Sequence, residues 1–175
     1  MTEVKGGAIS VTLFLAHSLE LEIEARDRYV ELGSVLSAHN NADVSTLFET
    51  LGRYAQMHVT EVERLAEEVG GIPTLAAWEF VWPDNEAPET AGHDEVHYLM
   101  SPHKALEVAH ANEVGARDYY KWIAETTQDA DVRRLARSFE EEESRHAQLL
   151  ALWLDKFPNV PENWDQDLDP PQCVD

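Results

Sequence analysis

Cysteine is nearly absent from this chain: among 175 residues the only one is Cys173, close to the C-terminus. That excludes an intramolecular disulfide, and with it any zinc or rubredoxin-type iron site built on several thiolates. A reducing compartment, read as the cytoplasm, is the natural setting. Basic residues are scarce too, with 13 Lys and Arg against 34 Asp and Glu and a formal net charge of -21. Such a charge repels phosphate backbones and anionic membrane surfaces, so neither nucleic acid nor membrane is expected as a partner. No apolar run approaches the roughly 18 residues of a membrane span. The stretch from Ala8 to Ala16 superficially resembles the apolar core of a signal peptide. Against that reading, Glu3 sits where such a peptide is basic, and the apolar spacing continues without a break as a helix would.

Proline is missing from long stretches. None precedes Pro73, four fall between Pro73 and Pro102, and four more between Pro158 and Pro171. Two long proline-free blocks remain, each divided by a short polar break, at His39-Asn40-Asn41 and at Thr126-Thr127-Gln128-Asp129. The pattern predicts four helices, over about 8–39, 42–69, 102–126 and 129–156. Ser101 before Pro102 and the side chain of Asp129 are expected N-caps, and Gly70-Gly71 should end the second helix. The short breaks make antiparallel pairs, whereas the long crossover from Gly71 to Ser101 can return helix three parallel to helix two. The expectation is an all-α four-helix bundle over residues 1–156 followed by an acidic, proline-rich tail over 157–175. Crossover and tail hold eleven acids and no Lys or Arg. Their Trp78, Phe80, Trp82, Tyr98 and Trp164 are expected to lie against the bundle or a second subunit.

What the chain does have is an apolar stripe on each helix, interrupted near its middle. Helix one reads Leu15, Leu19, Glu22, Ala25, Tyr29, Leu36, and helix two Phe48, Leu51, Ala55, His58, Val62, Leu65. Helix three reads Leu106, Ala109, Glu113, Ala116, Tyr120, Ile123, and helix four Leu135, Phe139, Glu143, His146, Leu150, Trp153. A lone glutamate on such a stripe usually reaches solvent, and a lone histidine is usually a hydrogen-bonded core residue. Four interruptions at matching depth are harder to dismiss. Each buried, unpaired carboxylate costs several kcal/mol, so Glu22, Glu113 and Glu143 can share one core only if cations compensate. Oxygen and imidazole donors suit first-row transition metals, and Glu143-x-x-His146 puts two of them one turn apart on one face.

These residues resemble the rubrerythrin branch of the ferritin-like superfamily, whose bundle carries one Glu on each of two helices and Glu-x-x-His on the other two. Glu22-Ile23-Glu24-Ala25-Arg26-Asp27-Arg28-Tyr29 is similar to the family's E-x-x-A-R-x-R-Y segment, and Glu113-x-x-Ala116-x-x-x-Tyr120 echoes it, as a duplicated hairpin would. Phe139-x-x-x-Glu143-x-x-His146 matches the second motif, but helix two keeps His58 and has Ala55 where the family has Glu. The resemblance implies a ferritin-like bundle holding two metal ions, with iron expected and manganese or zinc as alternatives. It implies that Glu22 and Glu113 bridge them, that Glu143 and His146 bind one and that His58 binds the other. Glu61, one turn beyond His58, is a candidate replacement for the missing carboxylate or else a surface residue. His110, one turn before Glu113, is a further candidate ligand or else a supporting or surface residue.

The activity so implied is reaction with hydrogen peroxide or dioxygen. Tyr29 and Tyr120 either hydrogen-bond the ligand carboxylates and quench radicals, or are amphipathic core residues. Two departures bear on mechanism: a further family glutamate falls at Ala116, and no rubredoxin domain can be built from one cysteine. Electrons must then come from a separate donor protein, and a homodimer is expected. Ferrous-iron oxidation and handling, or a structural bundle with a degenerate metal site, are the alternatives.

Overall fold

A computed structural model of the chain describes residues 9–38, 42–76, 79–80 and 101–157. Four helices account for nearly all of them: α1 (Val11–Ala38), α2 (Ala42–Glu68), α3 (Pro102–Thr126) and α4 (Ala130–Leu154). No strand occurs among the described residues. The expected boundaries hold to within a few residues, with α1 starting at Val11 rather than near residue 8. The break at residues 39–41, Trp78, Trp82, Tyr98, Trp164 and the tail beyond 157 lie outside the described residues.

Local chemistry accounts for the ends. The Ser101 hydroxyl accepts the Lys104 N–H at 3.1 Å, and Pro102, which has no N–H to satisfy, opens α3. The Asp129 carboxylate accepts the N–H groups of Asp131 and Val132 at 2.8 and 3.1 Å, starting α4. Past α2, Gly70 and Gly71 turn into the left-handed region at φ +87° and +105°. There the Gly71 N–H donates to the Ala66 carbonyl at 2.8 Å, a closure that a side chain at either position would strain.

The helices pair as two hairpins, α1 with α2 and α3 with α4, forming a four-helix bundle. Its core is split into two apolar layers. One gathers Tyr29, Leu32, Leu36, Phe48, Leu51, Ala55, Leu106, Ala109 and Leu150. The other gathers Phe14, Leu15, Leu21, Val62, Ala116, Tyr120, Ile123, Val132, Leu135 and Phe139. Following the numbering through them gives the directions: α2 and α3 both run from the first layer to the second, and α1 and α4 run back. Helix three therefore does return parallel to helix two, as the length of the crossover allows. Between the layers, at the bundle's waist, the apolar stripe of every helix gives way to a carboxylate or an imidazole.

Candidate metal centre

The waist residues converge. Glu22 lies between Leu21 and Ala25 on α1, His58 between Ala55 and Val62 on α2, Glu113 between Ala109 and Ala116 on α3, and Glu143 and His146 between Phe139 and Leu150 on α4. A small internal cavity is lined by all five, together with Ala25, Tyr29, Leu51 and Ala55. Glu22, Glu113 and Glu143 are 6%, 3% and 4% exposed. Three carboxylates at such depth, facing one cavity, are not a stabilising arrangement in themselves.

Hydrogen bonds and ion pairs knit the cluster. His146 Nδ1 is 3.2 Å from both Glu113 Oε2 and Glu143 Oε2. His58 Nδ1 is 3.4 Å from Glu22 Oε2. The two imidazoles stack across the cavity, 5.3 Å between ring centres and 18° between planes. The Tyr29 hydroxyl donates to Glu113 Oε1 from the layer below.

Titration behaviour follows from burial and these contacts. Burial lifts Glu22 to about 7, with help from the charge of Glu143, although the His58 imidazole pulls the other way. Complete burial and the neighbouring Glu143 push Glu113 well above the usual carboxylate range. Burial would also raise Glu143, but hydrogen bonds from His146 and Glu113 outweigh it and hold this carboxyl low. The same contacts overcome the desolvation of His146 and raise it to about 10, and Glu22 raises His58 in the same sense. A metal ion entering this cluster would have to displace protons from it.

The donors fall into two groups whose ligand atoms lie mutually within 4.8 Å: Glu22, His58 and Glu143, and Glu113, Glu143 and His146. Each has the oxygen and nitrogen donors of a first-row metal site. Glu143 is common to both, whereas Glu22 and Glu113 belong to one each. The Glu22 and Glu113 pair, to which the resemblance assigns the bridging role, is thus divided between the two groups, and Glu143 is the carboxylate that they share.

Three other sequence candidates lie elsewhere. Glu61 is on the surface, its side chain 51% exposed and paired with Arg64 at 2.6 Å. The buried line of α2 runs through Ala55, Val59, Val62 and Ala66. At 3.6 residues per turn Glu61 sits roughly 130° around the helix from that line. His110 is half-buried and belongs to neither group, being offset from the buried line of α3 by roughly 115°. Tyr120 does not line the cavity. It is enclosed in the second layer, with its ring centre 5.3 Å from that of Phe139 and 6.0 Å from that of Phe14.

The sequence reading missed two residues at the rim. Glu142 places Oε2 3.7 Å from His58 Nε2, and the Tyr54 ring lies parallel to that of His146, 3° between planes and 6.3 Å between centres. Glu142 is hidden in the run Glu140 to Glu143, where composition cannot separate inward from rim positions. A comparison of registers finds both, since Tyr54 precedes Ala55 as Glu142 precedes Glu143.

The solved structure of an uncharacterized conserved protein, COG1633, from Magnetospirillum magnetotacticum MS-1 matches this one with a TM-score of 0.74 at 35% sequence identity, covering 87% of this chain and 99% of that one. The chain belongs to the COG1633 family. No protein-family model and no curated protein matches it. Among the described residues, no helix of this COG1633 chain is long and apolar enough to cross a membrane.

The Tyr29 contact gives a direct check of the buried network. Tyr29→Phe removes the donor to Glu113 and leaves the ring in place. Burial pushes Glu113 toward its protonated form in the metal-free protein, where a neutral hydrogen bond is worth about 1 kcal/mol net, so the variant should melt roughly 2–4 °C below wild type by circular dichroism. An unchanged melt would mean that the hydroxyl does not hold Glu113.

Proposed function

We propose that this chain is a ferritin-like dimetal protein of rubrerythrin type, with iron as its metal, that reacts with hydrogen peroxide or dioxygen and is re-reduced by a separate donor. One observation carries the reading: three buried carboxylates and two imidazoles, from all four helices, face one cavity. This donor set suits two ions in kind, and is one carboxylate short, at Ala55, of the set the resemblance implies. Such a pair, when bound, supplies two electrons to the oxidant.

The chain's own part is positional and protonic. Glu22, Glu113 and Glu143 bring the negative charge that balances two cations, and Glu143 sits where it can serve both. Tyr29 holds a proton at Glu113 Oε1, at the wall of the cavity. Ala25, Leu51 and Ala55 give the cavity an apolar flank that keeps water scarce and leaves room beside the ligands. Reducing hydrogen peroxide takes two electrons and two protons and yields two waters. In this proposal a separate donor protein restores the electrons. A cytoplasmic homodimer completes the proposal.

Anaerobic loading with ferrous iron, metal counting and then addition of peroxide tests it. The expected result is two irons per chain and a near-ultraviolet band that grows as about one equivalent of peroxide is consumed. Two irons that do not change on addition of peroxide or air would overturn the redox reading.

A further inference from the structure

The cluster is lopsided, because α4 gives it Glu143 and His146 while α2 gives only His58, with Ala55 at the register that matches Glu143. Resting on the dimetal reading above, we infer that Glu142 is a positioning residue for His58 and contributes from the rim the negative charge that Ala55 withholds.

The two nitrogens of His58 face different carboxylates. Nδ1 is 3.4 Å from Glu22 Oε2, on the cavity side, and Nε2 is 3.7 Å from Glu142 Oε2. Only an unprotonated nitrogen can bind a metal, so the ring serves as a ligand through Nδ1 when its proton resides on Nε2. At 3.7 Å the contact is electrostatic, longer than a hydrogen bond, and a negative charge there favours the proton on Nε2 and raises the basicity of the other nitrogen. With 36% of its side chain exposed, Glu142 does so without the desolvation cost borne by the three buried glutamates.

The other half of the waist has a different arrangement. His146 Nδ1 faces Glu113 and Glu143, and a tyrosine ring, Tyr54, covers the imidazole. Tyr54 and Glu142 hold equivalent registers on α2 and α4, and each reaches across to the histidine of the opposite hairpin. One register thus carries a ring over the half that has both carboxylates, and the other a carboxylate beside the half that lacks one. The two ions should therefore be held unequally, and the one at Glu22, His58 and Glu143 should depend on Glu142.

Titration of metal-free protein with cobalt(II), followed by visible absorption and elemental analysis, separates the two steps. Wild type is expected to take two ions. Glu142→Ala should weaken one step by about 10–100-fold and leave the other within about twofold, and Glu142→Gln, which keeps a polar oxygen there without the charge, should fall between. In long-range nitrogen–proton spectra of the zinc-loaded proteins, His58 should be a single Nε2–H tautomer in wild type and should lose that definition in Glu142→Ala. Metal-free Glu142→Ala should melt within a few degrees of wild type, which separates ligand positioning from folding. Two unchanged binding steps with an unchanged His58 tautomer would overturn the role of Glu142 and leave the dimetal reading standing. A wild-type chain that takes fewer than two ions would overturn the reading beneath it.

Discussion

Stripped of metal by a chelator, the protein is expected to melt roughly 15–30 °C below its loaded form, taking two sites at about a thousandfold excess over their dissociation constants as worth about 8 kcal/mol together. The direction follows from the waist: without ions, Glu22, Glu113 and Glu143 stand within one cavity and are neutralised only by protons. The size of the drop should depend on pH. Glu22 is raised from 4.5 to about 7 and His146 from 6.5 to about 10. Groups raised in the folded state contribute stability that is complete below their unfolded values and is lost as pH climbs through the folded ones. Glu143 is shifted the other way, but its window lies below 4.5. Between about pH 6 and pH 9 the metal-free protein should therefore weaken while metal competes better against protons, so the gap widens. Paired calorimetric scans across that range check it. Equal melting temperatures would favour a structural bundle with a degenerate site, for which Ala55 is the argument.

Glu143→Ala should reduce metal loading from two ions per chain to none at concentrations that saturate wild type, whereas Glu22→Ala and Glu113→Ala should each reduce it to one. The difference rests on Glu143 belonging to both ligand groups. A role for Glu22 and Glu113 as the bridging pair makes the opposite prediction, since either change would then disturb both ions and Glu143→Ala only one. Elemental analysis after equilibrium dialysis distinguishes the two, with circular dichroism confirming that each variant is folded. Glu143→Ala retaining one firmly bound ion would contradict the shared-carboxylate geometry.

The helices, their caps and the depth of the waist could be read from residue order, because each depends on local periodicity or on a single side chain meeting a backbone group. Ser101, Asp129 and Gly70-Gly71 are of this kind, and so are Glu22, Glu113, Glu143 and His146, whose spacing places them on buried lines. What the order did not resolve depends on angle around a helix and on direction along it. His58 stands on the flank of the α2 stripe, so three further residues carry Glu61 outward to Arg64, not inward to the ligands. Tyr29 and Tyr120 share a seven-residue offset from their glutamates but lead toward opposite ends of the bundle. Tyr29 meets Glu113, while Tyr120 packs with the rings of Phe14 and Phe139. Glu142 reaches His58 across two hairpins, a neighbourhood that no pattern along a single helix encodes.

In the proposed dimetal protein, the inward-facing glutamates of α1, α3 and α4 hold two cations between them. A crystal of iron-loaded protein, with anomalous maps collected at the iron edge, tests this most directly. Two peaks per chain are predicted, one among Glu22, His58 and Glu143 and the other among Glu113, Glu143 and His146. A waist with no peak, or with the three carboxylates rotated out to solvent, would contradict it.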